Sequence, residues 1–99
     1  LLKVYIENIS VDGITFGYNE NGPLGLCKAD KLVFVTTRGG CYAGSNLELG
    51  AKYMEALCEF FGIDKFECVC AEGIDIYGAD VEGIMGEAEE QARKIAAEF

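Results

Sequence analysis

The segment Lys31-Leu32-Val33-Phe34-Val35-Thr36 constrains the fold more than any other part of the chain. It is a continuous apolar run rich in β-branched residues, without the alternation of a half-solvated strand. Such a run suits a strand covered on both faces, as in a parallel sheet flanked by helices. It ends in Thr37-Arg38-Gly39-Gly40, the composition of a sharp loop. Ser45-Asn46-Leu47-Glu48 then has the form of a capping box. The spacing predicts a helix from there to about Phe61, with Tyr53, Met54, Leu57 and Phe61 on one stripe and Gly62 as the C-cap. A second, shorter strand follows at Phe66-Glu67-Cys68-Val69-Cys70-Ala71. Strand–helix–strand with short connections is a βαβ unit, so the two strands are expected to be parallel with a right-handed crossover.

The flanks agree with an α/β class. Leu2, Tyr5, Ile6 and Ile9 recur at helical spacing and Asp12-Gly13 stops them. Residues 13–30 carry Gly13, Gly17, Gly22, Pro23 and Gly25, with Asn21-Gly22 as a turn signal between strand formers, which predicts a short hairpin. At the far end Asp80 is placed to cap a helix bearing Val81, Ile84, Met85, Ala88, Ala92, Ile95, Ala96 and Phe99 on one face. Two parallel strands do not make a stable sheet alone. The first strand calls for neighbours on both sides and has one. Residues 1–99 therefore read as the C-terminal part of a single domain whose first three strands lie upstream. The alternative is a non-catalytic fragment that pairs with another chain through its open sheet edge.

Charge and composition narrow the function. Eight basic against seventeen acidic residues give a formal charge of -9, the wrong sign for nucleic acid or an anionic membrane surface. No stretch is apolar for long enough to span a bilayer, and a cytoplasmic location is expected. The chain has no histidine, so Ser-His and Cys-His pairs are excluded, and no metal site is expected. Five cysteines, without a C-x-x-C pair, read as buried free thiols. In an open parallel sheet, ligands bind beyond the carboxyl ends of strands. That singles out Thr37, Arg38, Gly39, Gly40 and Tyr42, where glycines bring backbone N–H groups to a ligand and the other side chains add a hydroxyl, a cation and a ring. Phe16 and Tyr18 on the hairpin are aromatic candidates for lining a site, and one of Phe60 and Phe61 at the helix end is free to reach a partner subunit or a flat ligand.

These residues also form a pattern. Phe16-Gly17-Tyr18-Asn19-Glu20-Asn21-Gly22-Pro23-Leu24-Gly25-Leu26 resembles the T-F-x-Y-x-x-x-G-P-x-G-L segment of FMN-dependent NADH azoreductases and NAD(P)H quinone reductases. Thr37-Arg38-Gly39-Gly40 resembles their [ST]-R-G-G loop, Phe60-Phe61-Gly62-Ile63 their F-x-G-I, and Ala71-Glu72-Gly73 their A-E-G. The resemblance implies a flavodoxin-like fold, of which this chain supplies the fourth and fifth strands. It implies a homodimer with FMN at the interface, reduced by NADH or NADPH and reoxidised by a quinone or azo compound in a ping-pong cycle; the related alternative is another flavodoxin-like NAD(P)H reductase, acting on free flavin or chromate. Thr37, Gly39 and Gly40 would then hold the pyrimidine edge of the flavin and Arg38 would brace the loop. Tyr18 would lie near the substrate with Phe16 supporting it, and Phe60 would reach the partner's active site as a hydrophobic wall. Tyr42 stands where some relatives have histidine. No residue is assigned to the flavin phosphate or as a catalytic acid or base.

Overall fold

The computed structural model describes all 99 residues. The elements are α1 (Leu2–Ile9), β1 (Phe16–Asn19), β2 (Gly22–Gly25), β3 (Lys31–Thr37), α2 (Leu49–Phe61), β4 (Lys65–Ala71) and α3 (Val81–Ala97). They divide into two compact units, Leu1–Leu32 with Lys52–Phe66, and Val33–Ala51 with Glu67–Phe99.

The first unit holds α1, the hairpin and most of α2. Helix α1 ends where Ser10 Oγ donates to the Ile6 carbonyl at 2.7 Å and Thr15 Oγ1 donates to that of Ile9 at 2.7 Å. Strands β1 and β2 pair antiparallel, from Phe16 opposite Gly25 to Asn19 opposite Gly22. Asn19 Oδ1 accepts from the Asn21 amide at 2.8 Å, an Asx turn that closes the hairpin as the Asn-Gly signal predicts. Cys58, Phe61 and Ile63 form the buried centre, with Ile9, Cys27, Leu32, Leu57, Phe60 and Phe66 packed around it. Gly62 ends α2 at φ 77°, where a side chain would be strained. The backbone of Gly25 lies against it so closely that a Cβ on Gly25 would overlap the Gly62 peptide.

Helix α2 begins at Leu49, later than the capping-box reading places it, and residues 43–47 form turns instead. The Glu48 carboxylate is engaged elsewhere: it accepts from the Gly44 amide at 2.8 Å and from Arg38 at 3.2 Å. The buried positions of α2 are Ala51, Met54, Cys58 and Phe61, and Tyr53 is exposed, off the expected stripe.

In the second unit β3 and β4 pair as a two-stranded parallel sheet. Their carboxyl ends coincide, with the Arg38 amide donating to the Ala71 carbonyl at 2.8 Å. Asp80 caps α3 by accepting from the Gly83 amide at 3.2 Å, as expected. Ile84, Met85, Ala88, Ala92 and Ile95 of α3 are half-buried and none is fully buried. Strand β3, expected to be covered on both faces, has no buried residue, and Val35 is 67 % exposed. The reason is geometric: side chains of a strand point to the sheet faces, and α3 covers the Val33 and Val35 face only in part. An apolar groove of about 390 Å³, lined by Val33, Val35, Val69, Ile95 and Phe99 among others, runs along this region. The cysteines are all free thiols, but burial is complete only for Cys58. Cys27, Cys68 and Cys70 are half-buried and Cys41 is exposed, because it sits in the loop after β3 rather than on a packed element. No helix is long and apolar enough to cross a membrane.

Candidate functional site

The loop after β3 is clasped to the segment after β4. Carbonyl oxygens of three successive residues each accept from that segment: Arg38 from the Ile74 amide at 3.4 Å, Gly39 from Asp75 at 3.1 Å and Gly40 from Gly73 at 3.2 Å. A trans peptide unit is planar, so its N–H points opposite to its C=O. The N–H groups in these same three units belong to Gly39, Gly40 and Cys41. They face away from the clasp and donate to no protein acceptor. The carboxyl end of the sheet thus presents a short row of unpaired backbone donors. Such groups call for an acceptor, from water or from a ligand.

Side chains hold this loop in shape. Arg38, with its side chain 10 % exposed, turns away from the donor row and into the protein. Its Nη1 donates to Glu72 at 2.5 Å and to Glu48 at 3.2 Å. Glu72 also accepts from the Ala43 amide at 3.0 Å. Burial alone would lower the Arg38 pKa, but the hydrogen bonds to Glu48 and Glu72 and the nearby negative charge together hold it above its ordinary value. The guanidinium therefore ties Glu48 and Glu72 together beside the loop. A buried triad of this kind fixes geometry more than it adds net stability, because desolvation offsets much of the attraction.

Gly39 and Gly40 have no positive φ, so backbone freedom does not explain them. Space does. A Cβ on Gly39 would overlap the Asp75 carboxylate, and one on Gly40 would fall 2.7 Å from the Tyr42 ring. Asp75 and Tyr42 thus occupy the side of the loop where these two residues would carry side chains. Thr37 is exposed at the end of β3 and is free to offer its hydroxyl beside the loop. The five cofactor candidates are therefore together in the second unit, four on the loop and Thr37 at its root.

Cys68 and Cys70, two apart on β4 and so on one face of it, line one cavity of about 470 Å³ with Arg38, Glu48, Glu72, Ala88 and Gln91. Burial raises both thiol pKa values, the Arg38 charge partly offsets this, and Glu72 and Glu48 add to the rise. They are neutral thiols, unsuited to nucleophilic work.

The aromatic candidates converge in the first unit. The Phe16 ring lies 4.6 Å from that of Phe60 and 5.9 Å, edge to face, from that of Tyr18. Phe60 and Phe61 are 5.7 Å apart; Phe61 is buried and Phe60 half-buried. Tyr18 is 65 % exposed at the edge of the cluster. Sequence reasoning had not found Glu48, Glu72 or Asp75 as parts of the loop. Glu72 had a signal in the Ala71-Glu72-Gly73 motif, whereas Asp75 had none.

A strand–helix–strand frame followed by a third helix places the chain in the α/β class. The chain belongs to the flavodoxin-like fold family, whose profile matches residues 1–96. It is 42 % identical over 102 residues to FMN-dependent NADH:quinone oxidoreductase 2 of Clostridium acetobutylicum, covering all of this chain and 51 % of that protein. It is 38 % identical to the FMN-dependent NADH:quinone oxidoreductase of Lachnoclostridium phytofermentans, covering all of this chain and 50 % of the relative. The structure superposes on a crystal structure of azoreductase from Bacillus anthracis with a TM-score of 0.87 and 33 % identity, over 99 % of this chain and 49 % of the other. An FMN-dependent NADH-azoreductase from the same species, crystallised with FMN, gives a TM-score of 0.86 at 27 % identity, over 98 % of this chain and 47 % of that one. The chain spans about half the length of the curated relatives it matches.

Proposed function

We propose that this chain is the cofactor-edge and substrate-wall portion of an FMN-dependent NAD(P)H oxidoreductase that reduces quinones and azo compounds. The row of unpaired N–H groups on Gly39, Gly40 and Cys41 carries the reading. The isoalloxazine ring has an acceptor-rich pyrimidine edge, and a flat edge fits a row of donors that point one way. The names of the relatives support FMN as the cofactor and NADH as the donor.

In this reading Thr37, Gly39 and Gly40 hold the pyrimidine edge, Tyr42 packs behind Gly40, and Arg38 keeps the loop in place through Glu48 and Glu72. When bound, FMN supplies the two-electron chemistry, taking a hydride from NAD(P)H and passing electrons to the acceptor. The protein orients the ring and tunes its electronics. Phe16, Tyr18 and Phe60 offer aromatic faces to a flat acceptor, and Phe60 reaches a partner's site in a homodimer. The enzyme works in the cytoplasm by a ping-pong cycle. The purified native protein is expected to be yellow, to quench FMN fluorescence, and to give parallel double-reciprocal lines with NADH and a quinone. A native protein that stays colourless with added FMN contradicts the reading.

The unpaired edge of β3 favours a second reading, in which the chain pairs with another polypeptide through that edge and has no catalytic role. Light scattering separates the two: assembly through the edge without FMN uptake supports the second.

A further inference from the structure

Asp75 is the acidic group nearest the donor row that no cation balances. Its amide donates to the Gly39 carbonyl at 3.1 Å, and its carboxylate fills the space where a Gly39 side chain would stand. Glu48 and Glu72 share the charge of Arg38. Asp75 is exposed and has no ion pair. Asp75 therefore brings a carboxylate without an ion pair to a loop whose N–H groups invite an acceptor.

We infer that Asp75 is a positioning residue for electrons rather than atoms: its carboxylate lowers the affinity of this loop for the reduced, anionic flavin relative to the oxidised one. The inference rests on the reading of the loop as the flavin's pyrimidine edge. Hydride transfer from NADH delivers two electrons and one proton to the ring and releases NAD⁺. The oxidised ring is neutral, and the reduced ring carries one negative charge, spread over its pyrimidine edge. A carboxylate a side chain's length from the donors opposes that charge and leaves the oxidised form almost untouched. The protein thus holds its flavin as a stronger reductant, suited to acceptors of low potential.

The test is reductive titration of the native protein against a reference dye, with FMN affinity measured in parallel by fluorescence quenching. Asp75→Asn is expected to favour reduced over oxidised FMN by about tenfold more than wild type, a rise in midpoint potential of about 30 mV for a two-electron couple. Its affinity for oxidised FMN stays within about threefold. Asp75→Glu, which keeps the charge, stays near wild type. Asp75→Ala repeats the Asn result without relying on the amide, and salt shrinks the gap between wild type and either neutral variant. Equal potentials in wild type and both neutral variants, all holding FMN, overturn the inference and leave the flavin reading standing. A wild-type protein that takes up no FMN overturns both.

Discussion

The guanidinium of Arg38 lies 2.5 Å from the carboxylate of Glu72, and this pair ties the loop after β3 to the exit of β4. The two residues are the pivots of the clasp, with Glu48 completing the triad at 3.2 Å. Removing Arg38 leaves two poorly solvated carboxylates facing each other. Arg38→Ala is expected to cost about 2–3 kcal/mol in denaturant unfolding and to abolish FMN binding. Arg38→Lys recovers charge without the planar fork, and is expected to regain stability more than affinity.

The Gly40 loop yields a coupling experiment. A methyl group at Gly40 meets the Tyr42 ring, which is 2.7 Å from its Cβ position. Gly40→Ala is expected to weaken FMN binding about tenfold by displacing the ring and with it the loop. Adding Tyr42→Ala removes the obstacle and restores part of that loss, so the double-mutant cycle is expected to show non-additivity above about 0.5 kcal/mol. Additive losses would mean that ring and glycine act separately.

Phe60 and Phe61 are expected to separate by readout. Phe61 is 4 % exposed within the core of the first unit, and Phe61→Ala is expected to cost about 3–4 kcal/mol. Phe60 is half-buried against Phe16, so Phe60→Ala is expected to cost about half as much and to raise the KM for a quinone. A large stability loss without a change in KM would assign Phe60 to the core alone.

Thiol chemistry gives a pH signature. Burial raises the pKa of Cys58, with the Glu55 charge adding to it, and burial also raises Cys68 and Cys70. A thiol whose folded pKa lies above its unfolded value stabilises the fold below the unfolded pKa. That contribution is lost as pH rises through the folded pKa. The melting temperature is therefore expected to fall above about pH 8.5, where unfolded thiols ionise. At neutral pH iodoacetamide is expected to modify exposed Cys41 first and buried Cys58 last, which mass spectrometry of digested samples resolves.

The frame of the molecule was legible because its signals are local. The apolar run before Thr37 marked β3, Asn21-Gly22 marked the hairpin, Gly62 marked the end of α2, and Asp80 marked the start of α3. Each depends on residues within a turn or a strand length. The start of α2 was misplaced because Glu48 had two uses, as a cap for its own helix and as a partner for Arg38, and its sequence neighbourhood displays only the first. The partnership of Arg38 with Glu72 joins residues 34 apart in sequence, a juxtaposition that only the sheet creates. Asp75 against Gly39 is of the same kind. The packing of Gly39 and Gly40 against Asp75 and Tyr42 was not legible, because the occupants of that space come from the fold and not from the motif.

The most direct measurement is a ¹H–¹⁵N correlation spectrum of the native protein titrated with FMN. The amide protons of Gly39, Gly40 and Cys41 are expected to move downfield as they take up acceptors, while those of Gly73, Ile74 and Asp75, already bonded within the clasp, move little. FMN that binds without shifting the first three, or that shifts the second three instead, would contradict the account.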